Sequence, residues 1–562
     1  MKASDLFVKC LENEGVEYIF AVPGEENLDV IDSVRSSSIT LIVTRHEQHA
    51  AFMAATYGRL TGLPGVVLST LGPGATNLVT GLAYAQLGGM PLVAITGQKA
   101  VKDNWQGTFQ IVDVVSTFRP LTKWNKSIVS ARSIPMFVSH AFKEATAERP
   151  GPVHIELPED VAGEDVPEDR PLPRREIRRP VADEKALDQA AEMIRSARRP
   201  VMLISAGANR KRIGRQLINF LEKTGIYAVS TQMGKGVLSE DHPQSLFSMG
   251  IHKKDYVNCA LEDADLVITV GYNIVEFPPF VWNENNDKKI LHIDFVMAEP
   301  DVYYRPELEV VGDISHALWA IRTRMGDVSF DNAHHAELRK VFDEKLHEKS
   351  CKYSAPIKPQ CLVHGVREVM DRDGIVCLDN GIYKIWFARQ YKTYRDNTLL
   401  LDNALATMGA GLASAMAAKV VMPGRQVLAV VGDGGFMMNS QDLETAVRLG
   451  QDLVILLVRD DAYGFIRWKQ AQMGFEDFGM TFGNPDFVKY AEAYGAVGMR
   501  VGEGDSLVDV LGRAFETATR RHLPVLVDCP IDYSENVKLE RDLHGDVSHI
   551  LACAVDQQGG ES

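Results

Sequence analysis

The sequence has no long apolar run, no paired-cysteine motif and no excess of basic residues. Its 562 residues include 60 Lys and Arg against 75 Asp and Glu, which gives a formal net charge of −15. A nucleic-acid backbone needs a basic protein face, so this charge argues against a nucleic-acid partner. No window approaches the roughly 20 apolar residues that cross a bilayer, and the N-terminus lacks the apolar core of a signal peptide. We therefore expect neither a membrane nor a nucleic-acid partner.

Cysteine is scarce as well. The seven cysteines are scattered along the chain, odd in number, and form no CxxC pair. This distribution predicts buried, reduced thiols in a cytoplasmic protein rather than a disulfide framework. Their spacing also matches no zinc-binding pattern.

What the sequence does have is the composition of an ordinary globular protein, 45% hydrophobic and 24% charged. The length predicts three or four domains at roughly 150 residues each. Short apolar runs that alternate with helical periodicity indicate three α/β units, at residues 1–160, 185–330 and 355–535, followed by a tail at 536–562. A proline-bearing stretch at 158–180 is interpreted as a linker lying over the surface.

The predicted strands are short and mostly apolar. They are residues 18–22, 40–43, 65–69, 91–96 and 153–157 in the first unit, 201–205, 227–230, 266–270 and 289–293 in the second, and 375–378, 398–401, 427–431, 453–458 and 525–528 in the third. Strands that alternate with helices pair in parallel. Each unit is therefore predicted to be a doubly wound parallel sheet with helices on its faces.

Residues 427–470 carry the pattern that is richest in chemistry. A continuous apolar strand ends in Gly432-Asp433-Gly434-Gly435, and the next strand leads, 27 residues after Asp433, to Asp460. Two parallel strands joined by a helix bring their carboxyl ends side by side, where open α/β sheets bind ligands. Two carboxylates beside a glycine turn suit Mg²⁺ and a phosphate group. The alternative is a tight turn in which Asp433 merely caps the helix.

The first unit contains two polar turns that precede helices. The stretch Thr44-Arg45-His46-Glu47-Gln48-His49 follows a predicted strand, and Glu47 could simply favour the positive end of the helix dipole. The glycine turn at 71–77 lacks the lysine and the spacing of a P-loop, so nucleotide hydrolysis is not indicated. Met408, in the third unit, would ordinarily be interpreted as core filler.

Together these pieces resemble the thiamine-diphosphate-dependent enzymes. That family combines a GDG turn, an acidic or amide ligand about 27 residues later, and a glutamate in an RHE-type loop of an earlier domain. The chain is most similar to the catabolic, FAD-independent acetolactate synthases, in stretches such as VTRHEQHAAFMAATYGRLTG, LGPGATNLVTGLA and FQIVDVVSTFRPLTKW. The resemblance covers nearly the whole chain. It implies a pyrimidine-binding first domain, a central domain and a diphosphate-binding third domain.

The resemblance also implies a set of cofactor and metal residues. Glu47 would contact N1′ of the aminopyrimidine ring of the cofactor. The metal ligands would be Asp433, Asp460 and the carbonyl of Ala462, with Asp461 open as an alternative to Asp460. The cofactor-binding residues would be Asn380, Gly381, Ala406, Met408, Asp433, Gly434, Gly435, Tyr463 and Gly464.

Three further residues would join Glu47 in the catalytic set. Phe109 and Gln110 match a Phe-Gln pair that lies over the thiazolium ring and meets the substrate. Lys469 stands where relatives carry a Trp or Gln that helps to select the acceptor substrate. Glu25 and Glu26 would place acidic groups near the substrate, in a site that has to accept an anion.

The resemblance implies an enzyme that uses thiamine diphosphate and Mg²⁺. It would decarboxylate pyruvate and join the remaining two-carbon unit to a second pyruvate, giving 2-acetolactate and CO₂. Residues 271–283 lack the Arg- and Asp-bearing segment of FAD-binding relatives, so FAD is not expected. A homodimer or homotetramer with the site at the subunit interface is expected. A decarboxylase or a carboligase with an aldehyde acceptor, and a non-catalytic cofactor-binding protein, are the alternatives.

Overall fold

The computed structural model describes residues 1–105, 107–167, 170–174, 177–209, 213–250, 256–330, 332–346, 351 and 353–536. Within these ranges the chain folds into three six-stranded parallel sheets with helices between the strands. The predicted α/β fold of three doubly wound sheets is confirmed. The predicted tail lies outside the described residues, apart from its first residue, Asn536.

The first sheet has the strand order β2-β1-β3-β4-β6-β5. Its strands are β1 (Tyr18–Ala21), β2 (Thr40–Val43), β3 (Gly65–Ser69), β4 (Leu92–Gln98), β5 (Trp124–Ser127) and β6 (Pro152–Pro158). The helices are α1 (Ala3–Glu14), α2 (Leu28–Arg35), α3 (Glu47–Thr61), α4 (Gly72–Thr76), α5 (Val79–Gly88), α6 (Val114–Phe118), α7 (Ile134–Thr146) and α8 (Glu159–Gly163). Strands β3, β4 and β6 are buried along their whole length because helices cover both faces of the sheet.

The second sheet has the order β12-β11-β10-β7-β8-β9, in which the chain winds outward from the centre in both directions. Its strands are β7 (Pro200–Ile204), β8 (Tyr227–Ser230), β9 (Ser245–Ser248), β10 (Leu266–Val270), β11 (Lys289–Asp294) and β12 (Leu308–Val311). The helices are α9 (Glu184–Ser196), α10 (Ile213–Thr224), α11 (Cys259–Glu262), α12 (Ile314–Met325) and α13 (Ala333–Leu346).

The third sheet has the order β14-β13-β15-β16-β18-β17. Its strands are β13 (Ile375–Leu378), β14 (Leu399–Leu400), β15 (Val427–Gly432), β16 (Val454–Arg459), β17 (Val497–Arg500) and β18 (Val525–Pro530). The helices are α14 (Pro359–Val369), α15 (Ile382–Gln390), α16 (Ala410–Val421), α17 (Asp433–Asn439), α18 (Leu443–Arg448), α19 (Gly464–Gln472), α20 (Phe487–Ala493) and α21 (Leu507–Arg521).

Three details differ from the sequence predictions. The strands β5, β9, β12 and β17 were not predicted, and each lies at an edge of its sheet. The one helix predicted between β15 and β16 is instead α17, a 3₁₀ turn and α18. The stretch predicted as a linker at 158–180 begins with the last residue of β6 and then forms α8. None of the described helices has the length and hydropathy needed to span a bilayer.

Helices α3 and α16 join the first and third units in one hydrophobic core. Both helices are rich in alanine, whose small side chains let the two backbones approach closely. Two polar contacts fix their register: Thr56 Oγ1 lies 3.1 Å from Ser414 Oγ, and His49 Nε2 lies 3.2 Å from Met416 Sδ. The first residue of α3, Glu47, is therefore held in a fixed place relative to the third unit.

A buried ion pair joins the second unit to the third. Lys235 Nζ lies 2.8 Å from Glu240 Oε1 and donates to the carbonyl of Ala388 at 3.1 Å. Glu240 Oε2 in turn accepts the backbone N–H of Thr393 at 2.7 Å. Burial lowers the pKa of Lys235, against the opposing effect of Glu240.

Replacement of Lys235 by methionine should destabilise the protein by about 3–5 kcal/mol, because it leaves the Glu240 carboxylate buried and unpaired. Differential scanning calorimetry would show a lower first unfolding transition, and Lys235→Met/Glu240→Gln should recover part of the loss. Lys223→Met is the matched control, since its pair with Asp327 is exposed and such pairs contribute little. Equal transition temperatures for the Lys235 and Lys223 variants would contradict the prediction.

Candidate functional site

The two aspartates predicted to share an edge of the third sheet do so. Strands β15 and β16 are parallel neighbours, with Gly432 in register with Val458. Asp433 follows β15 as the first residue of α17, and Asp460 follows β16. The backbone thus brings two carboxylates to the carboxyl edge of the sheet, at adjacent positions.

Asp433 is almost completely buried, and hydrogen bonds from three groups fix its carboxylate. Its Oδ1 accepts from the N–H of Gly434 at 2.9 Å, and its Oδ2 accepts from the N–H of Asp461 at 2.7 Å and from Asn484 Nδ2 at 2.8 Å. Burial raises the pKa of Asp433, while the bonds from Asn484 and the two backbone amides oppose that shift. The carboxylate is preorganised in one orientation.

Asp461, the alternative ligand, is engaged elsewhere. Its Oδ2 accepts from Arg459 Nη1 at 3.0 Å, and its Oδ1 accepts from Asn484 Nδ2 at 2.8 Å. Its backbone adopts a φ of +55°, a left-handed conformation that is uncommon outside glycine. This conformation aims its N–H at Asp433, while its side chain points to Arg459.

Asp460, by contrast, has an uncommitted oxygen. Its Oδ2 is buried and accepts no hydrogen bond from the described residues; the nearest cation, Arg467 Nη2, is 3.9 Å away. Burial and the neighbouring charge of Asp433 raise the pKa of Asp460 to about 7. Two carboxylates at close range, one with a free oxygen, form a donor set that fits a hard divalent cation.

Glycines around the acidic pair keep its surroundings open. A Cβ on Gly435 would come within 2.2 Å of Asp379 Oδ2, and a Cβ on Gly464 within 2.2 Å of Asp460 Oδ2. Among the described residues no group of three or more His, Cys, Asp or Glu side chains is arranged to hold a metal ion. A cation at Asp433 and Asp460 would therefore need further oxygens from the backbone and from a ligand.

Tyr463 and Ala462 lie beside the glycine turn. A Cβ on Gly434 would come within 2.9 Å of the Tyr463 ring, whose centroid is 4.9 Å from that of Phe482. Ala462 forms an isolated antiparallel bridge with Thr481, which fixes the backbone that carries the predicted carbonyl ligand.

Two further predicted turns meet at the same edge of the third sheet. Asn380 and Gly381 follow β13, the neighbour of β15, and Asn380 Nδ2 donates to the carbonyl of Thr407 at 2.5 Å. Ala406 has a φ of +54°, and the sequence continues through Met408 into α16. A Cβ atom added at Gly435 would lie 3.7 Å from Met408 Cβ. The loop that carries Met408 therefore packs beside the glycine turn that contains Asp433.

In the first unit, Glu47 is not the exposed helix cap that its position could have suggested. It is 8% exposed, and its Oε2 accepts from Asn77 Nδ2 at 2.9 Å. The cap of α3 is His46, whose Nδ1 accepts the N–H of Gln48 at 3.1 Å. A Cβ on Gly74 would lie 3.2 Å from Glu47 Oε1, so the glycine turn predicted at 71–77 leaves space at this carboxylate.

Phe109 and Gln110 lie on an exposed loop after β4. Phe109 is 77% exposed, and Gln110 has a φ of +58°. A Cβ on Gly72 would come within 2.4 Å of the Gln110 carbonyl, so this loop packs its backbone on the turn that also carries Asn77. The structure therefore places Phe109 and Gln110 at the same edge of the first sheet as Glu47.

Glu26 does not present a free negative charge near this edge. Its Oε1 lies 2.6 Å from Lys99 Nζ, and its Oε2 accepts from Thr70 Oγ1 at 2.6 Å. Although burial opposes ionisation, the hydrogen bonds from Lys99 and Thr70 leave the pKa of Glu26 below its usual value. The ammonium group of Lys99 neutralises the Glu26 carboxylate in place, whereas Glu25 is exposed.

Lys469 contacts residues of its own helix. Its Nζ donates to Gln472 Oε1 at 3.0 Å and lies 4.9 Å from the centroid of the Trp468 ring. Both partners are on its own helix, α19. Arg467 on this helix, rather than Lys469, approaches the acidic pair.

Sequence reasoning missed Asn484, which donates to both Asp433 and Asp461. The only local signal is the Asn-Pro dipeptide with Pro485, which marks a turn but no ligand. Arg459 was also missed, because an arginine that ends an apolar strand carries no signal of the aspartate that it will hold.

Three protein-family models match this chain, each by a description that names a cofactor. Residues 1–117 match the N-terminal TPP binding domain of thiamine pyrophosphate enzymes, residues 187–321 their central domain, and residues 379–529 their C-terminal TPP binding domain.

Among curated proteins, the chain is 35% identical to an acetolactate synthase of Bacillus subtilis (strain 168), over 96% of this chain and 95% of that protein. It is 32% identical to a catabolic acetolactate synthase of Raoultella terrigena, over 98% of both chains. It is 34% identical to a probable acetolactate synthase large subunit of Methanocaldococcus jannaschii, over 95% of this chain and 93% of that protein.

The geometry predicts that Asp460→Asn and Asp461→Asn have different effects on Mg²⁺ binding. Loss of the Asp460 carboxylate should weaken Mg²⁺ binding by about tenfold or more, since a hard cation depends on charged oxygen ligands. Asp461→Asn should change it by no more than about threefold, because that side chain is bound to Arg459 and Asn484. Calorimetric titration of Mg²⁺ with saturating thiamine diphosphate measures both, and the reverse ranking would make Asp461 the ligand.

Proposed function

The chain belongs to the thiamine pyrophosphate enzyme family, and on this premise we propose that it converts two molecules of pyruvate into 2-acetolactate and CO₂. The observation that carries this proposal is its similarity, over nearly the full length of both chains, to relatives named acetolactate synthase. The site geometry agrees with it: a buried glutamate lies at the edge of the first sheet, and a pair of aspartates lies at the edge of the third.

The residues of the first sheet fit the aminopyrimidine end of thiamine diphosphate. With Oε2 of Glu47 held by Asn77, Oε1 is the oxygen that would face a ring nitrogen across the gap left by Gly74. A carboxylate suits this place because the hydrogen bond has to persist when that nitrogen gains or loses a proton. Thiamine diphosphate, when bound, supplies the thiazolium electron sink that allows a 2-oxo acid to lose CO₂.

The residues of the third sheet fit the diphosphate end and its metal ion. We assign Asp433, Asp460 and the carbonyl of Ala462 as ligands of Mg²⁺, which would complete its octahedron with phosphate oxygens and water. Asp460 is preferred to Asp461 because its Oδ2 lacks a hydrogen-bond partner among the described residues. The turns that carry Asn380, Gly381, Ala406, Met408, Gly434, Gly435, Tyr463 and Gly464 would surround the cofactor.

Phe109 and Gln110 would cover the reacting centre and meet the substrate. Their loop is anchored on Gly72 but is otherwise open, with Phe109 largely exposed. The pairing of Glu26 with Lys99 supports an anionic substrate, because it removes a negative charge that would repel a carboxylate. The contacts of Lys469 with the described residues do not bear on acceptor selection, and its assignment stays a prediction.

We propose that two or four copies of the chain assemble, with each site at a subunit interface. The loop of Phe109 exposes that ring and Trp105, and the segment after α19 exposes Phe475 and Phe478, the last at 83%. Apolar side chains this exposed, on loops next to both halves of the site, are typical of a surface that another chain covers.

We also propose a reduced, cytoplasmic location, which the buried thiols of Cys377 and Cys529 support.

We propose that the enzyme needs no flavin. The central sheet would offer a dinucleotide the place where its strand order reverses, between β7 and β10. There the buried carboxylate of Glu276 accepts from Ser205 Oγ at 3.0 Å, from Thr231 Oγ1 at 2.8 Å and from the N–H of Met233 at 2.5 Å. The chain's own carboxylate thus occupies hydrogen-bond donors that a phosphate group would require.

Incubation of the protein with pyruvate, thiamine diphosphate and Mg²⁺, with the products identified by NMR, tests the proposed function. We expect 2-acetolactate and CO₂ in equal amounts, without added FAD. Acetaldehyde or acetoin as the main product would indicate a decarboxylase or an aldehyde-accepting carboligase instead. Cofactor binding without turnover of any 2-oxo acid would indicate a non-catalytic protein.

Glu47→Gln should lower kcat by about 10²–10⁴-fold, the range that acid–base groups contribute, while the protein stays folded. Glu17→Gln is the matched control, because Glu17 is an exposed residue just before β1, at the opposite edge of the same sheet. It should retain full activity. Turnover by the Glu47 variant at the rate of the Glu17 variant would remove Glu47 from the mechanism.

A further inference from the structure

One buried cation lies among the turns assigned to the cofactor and has no part in the proposed chemistry. Lys384, in the first turn of α15, is 6% exposed. Its Nζ donates to Asn380 Oδ1 and, at 2.9 Å, to the carbonyl of Asp402. The charged groups that act on it are the carboxylates of Asp402 and Asp379, in the same unit, and of Glu276, in the second unit.

The first partner of Lys384, Asn380, also binds the neighbouring turn. Asn380 accepts from Lys384 with its side-chain oxygen and donates with its side-chain nitrogen to the carbonyl of Thr407. A single amide thus links the turn after β13 to the loop before α16. The orientation of that amide is fixed, because Lys384 can only donate and a carbonyl can only accept.

The second contact holds the base of the same loop. The Asp402 carboxylate accepts the N–H groups of Ala404 at 3.0 Å, Leu405 at 3.2 Å and Ala406 at 2.8 Å, which wraps the loop around it. Ala406 adopts its left-handed conformation, with φ +54°, at the end of this wrap. Lys384 binds the carbonyl of Asp402 and so fixes the residue on which the loop is built.

The second unit secures the loop from outside. Asn403 Nδ2 donates to Gln232 Oε1 at 2.8 Å. Two neighbouring residues of the loop are therefore held from two sides. Lys384 of the third unit binds Asp402, and Gln232 of the second unit binds Asn403.

Stability alone does not account for a lysine here. Burial lowers its pKa to about 8, against the raising effect of Asp402, Asp379 and Glu276. Apolar groups in place of both the ammonium group and its partners would avoid the desolvation of the charge, and such joint replacements are often neutral or stabilising. What Lys384 contributes is a fixed position of the two turns relative to each other.

We propose that Lys384 is a positioning residue for thiamine diphosphate: it fixes the turn at 380–381 against the loop at 402–408, so that both are preformed when the cofactor binds. The inference rests on the proposed function, because it takes these two turns as walls of the cofactor site. A preformed site binds more tightly, since less conformational entropy is lost on binding.

Lys384→Met removes the donors and keeps the length of the side chain. We expect the dissociation constant for thiamine diphosphate, measured by calorimetry with Mg²⁺ in excess, to rise about tenfold or more, which is about 1.4 kcal/mol or more. Hydrogen exchange of the Ala404, Leu405 and Ala406 amides should accelerate in the cofactor-free variant. Lys384→Gln, which retains two N–H donors, should recover part of the affinity.

Lys419→Met is the matched control. Lys419 is also 6% exposed and donates to a backbone carbonyl, that of Arg425 at 2.9 Å, but it lies with Asp452 near the opposite ends of β15 and β16. We expect this variant to unfold at a lower temperature and to bind the cofactor as the native protein does.

The outcomes separate the inference from the function on which it rests. Native protein that binds no thiamine diphosphate would overturn the proposed function itself. If the native protein binds thiamine diphosphate, and Lys384→Met has the same dissociation constant and the same amide exchange as the native protein, the inference is overturned but the proposed function is not. An equal loss of affinity in the Lys384 and Lys419 variants would show a general effect of stability, and would overturn it too.

Discussion

The hydrogen bond from the backbone of Asp461 to the carboxylate of Asp433 joins the ends of two neighbouring parallel strands, and the candidate site depends on it. It forms because β15 and β16 end in register and because Asp461 adopts a left-handed conformation that turns its N–H back across the sheet. That turn leaves the side chain of Asp461 with Arg459. The preceding residue, Asp460, is then the one whose carboxylate stays beside Asp433 with an uncommitted oxygen. One backbone constraint thus selects which of two adjacent aspartates is available to a metal ion.

The buried carboxylates of the third sheet have an electrostatic cost. Burial raises the pKa of Asp379 to about 6, and burial with the charge of Asp433 raises that of Asp460 to about 7. A carboxyl whose pKa is higher in the folded than in the unfolded protein binds its proton more tightly when folded. The stability of the cofactor-free protein should therefore fall, through these groups, as the pH rises from about 4 to 7. A divalent cation at Asp433 and Asp460 would offset that cost, which couples metal binding to the integrity of the site.

Much of the fold could be predicted from the sequence because the central strands are apolar on both faces. The four strands that were not predicted, β5, β9, β12 and β17, are sheet edges. Three of them, WNKS, LEVV and VGMR, are largely half-buried or exposed, and the fourth, SLFS, begins and ends with serine. The placement of Asp433 and Asp460 could be predicted from strand order alone. The contacts of Asn484, Arg459 and Lys384 could not be predicted. They depend on a loop that is distant in sequence or on the direction in which a side chain points, and no local sequence pattern encodes either.

We propose that a complete site combines Glu47 of one chain with Asp433 and Asp460 of another, because apolar side chains are exposed on loops next to both halves of the site. Co-expression of a Glu47→Gln chain with an Asp460→Asn chain tests this assignment most directly. Random pairing gives half hybrid dimers, in each of which one site keeps both native residues, so the mixture should recover about a quarter of native activity while each variant alone stays inactive. A mixture as inactive as its parents would place Glu47 and Asp460 of the same chain in one site and contradict the account.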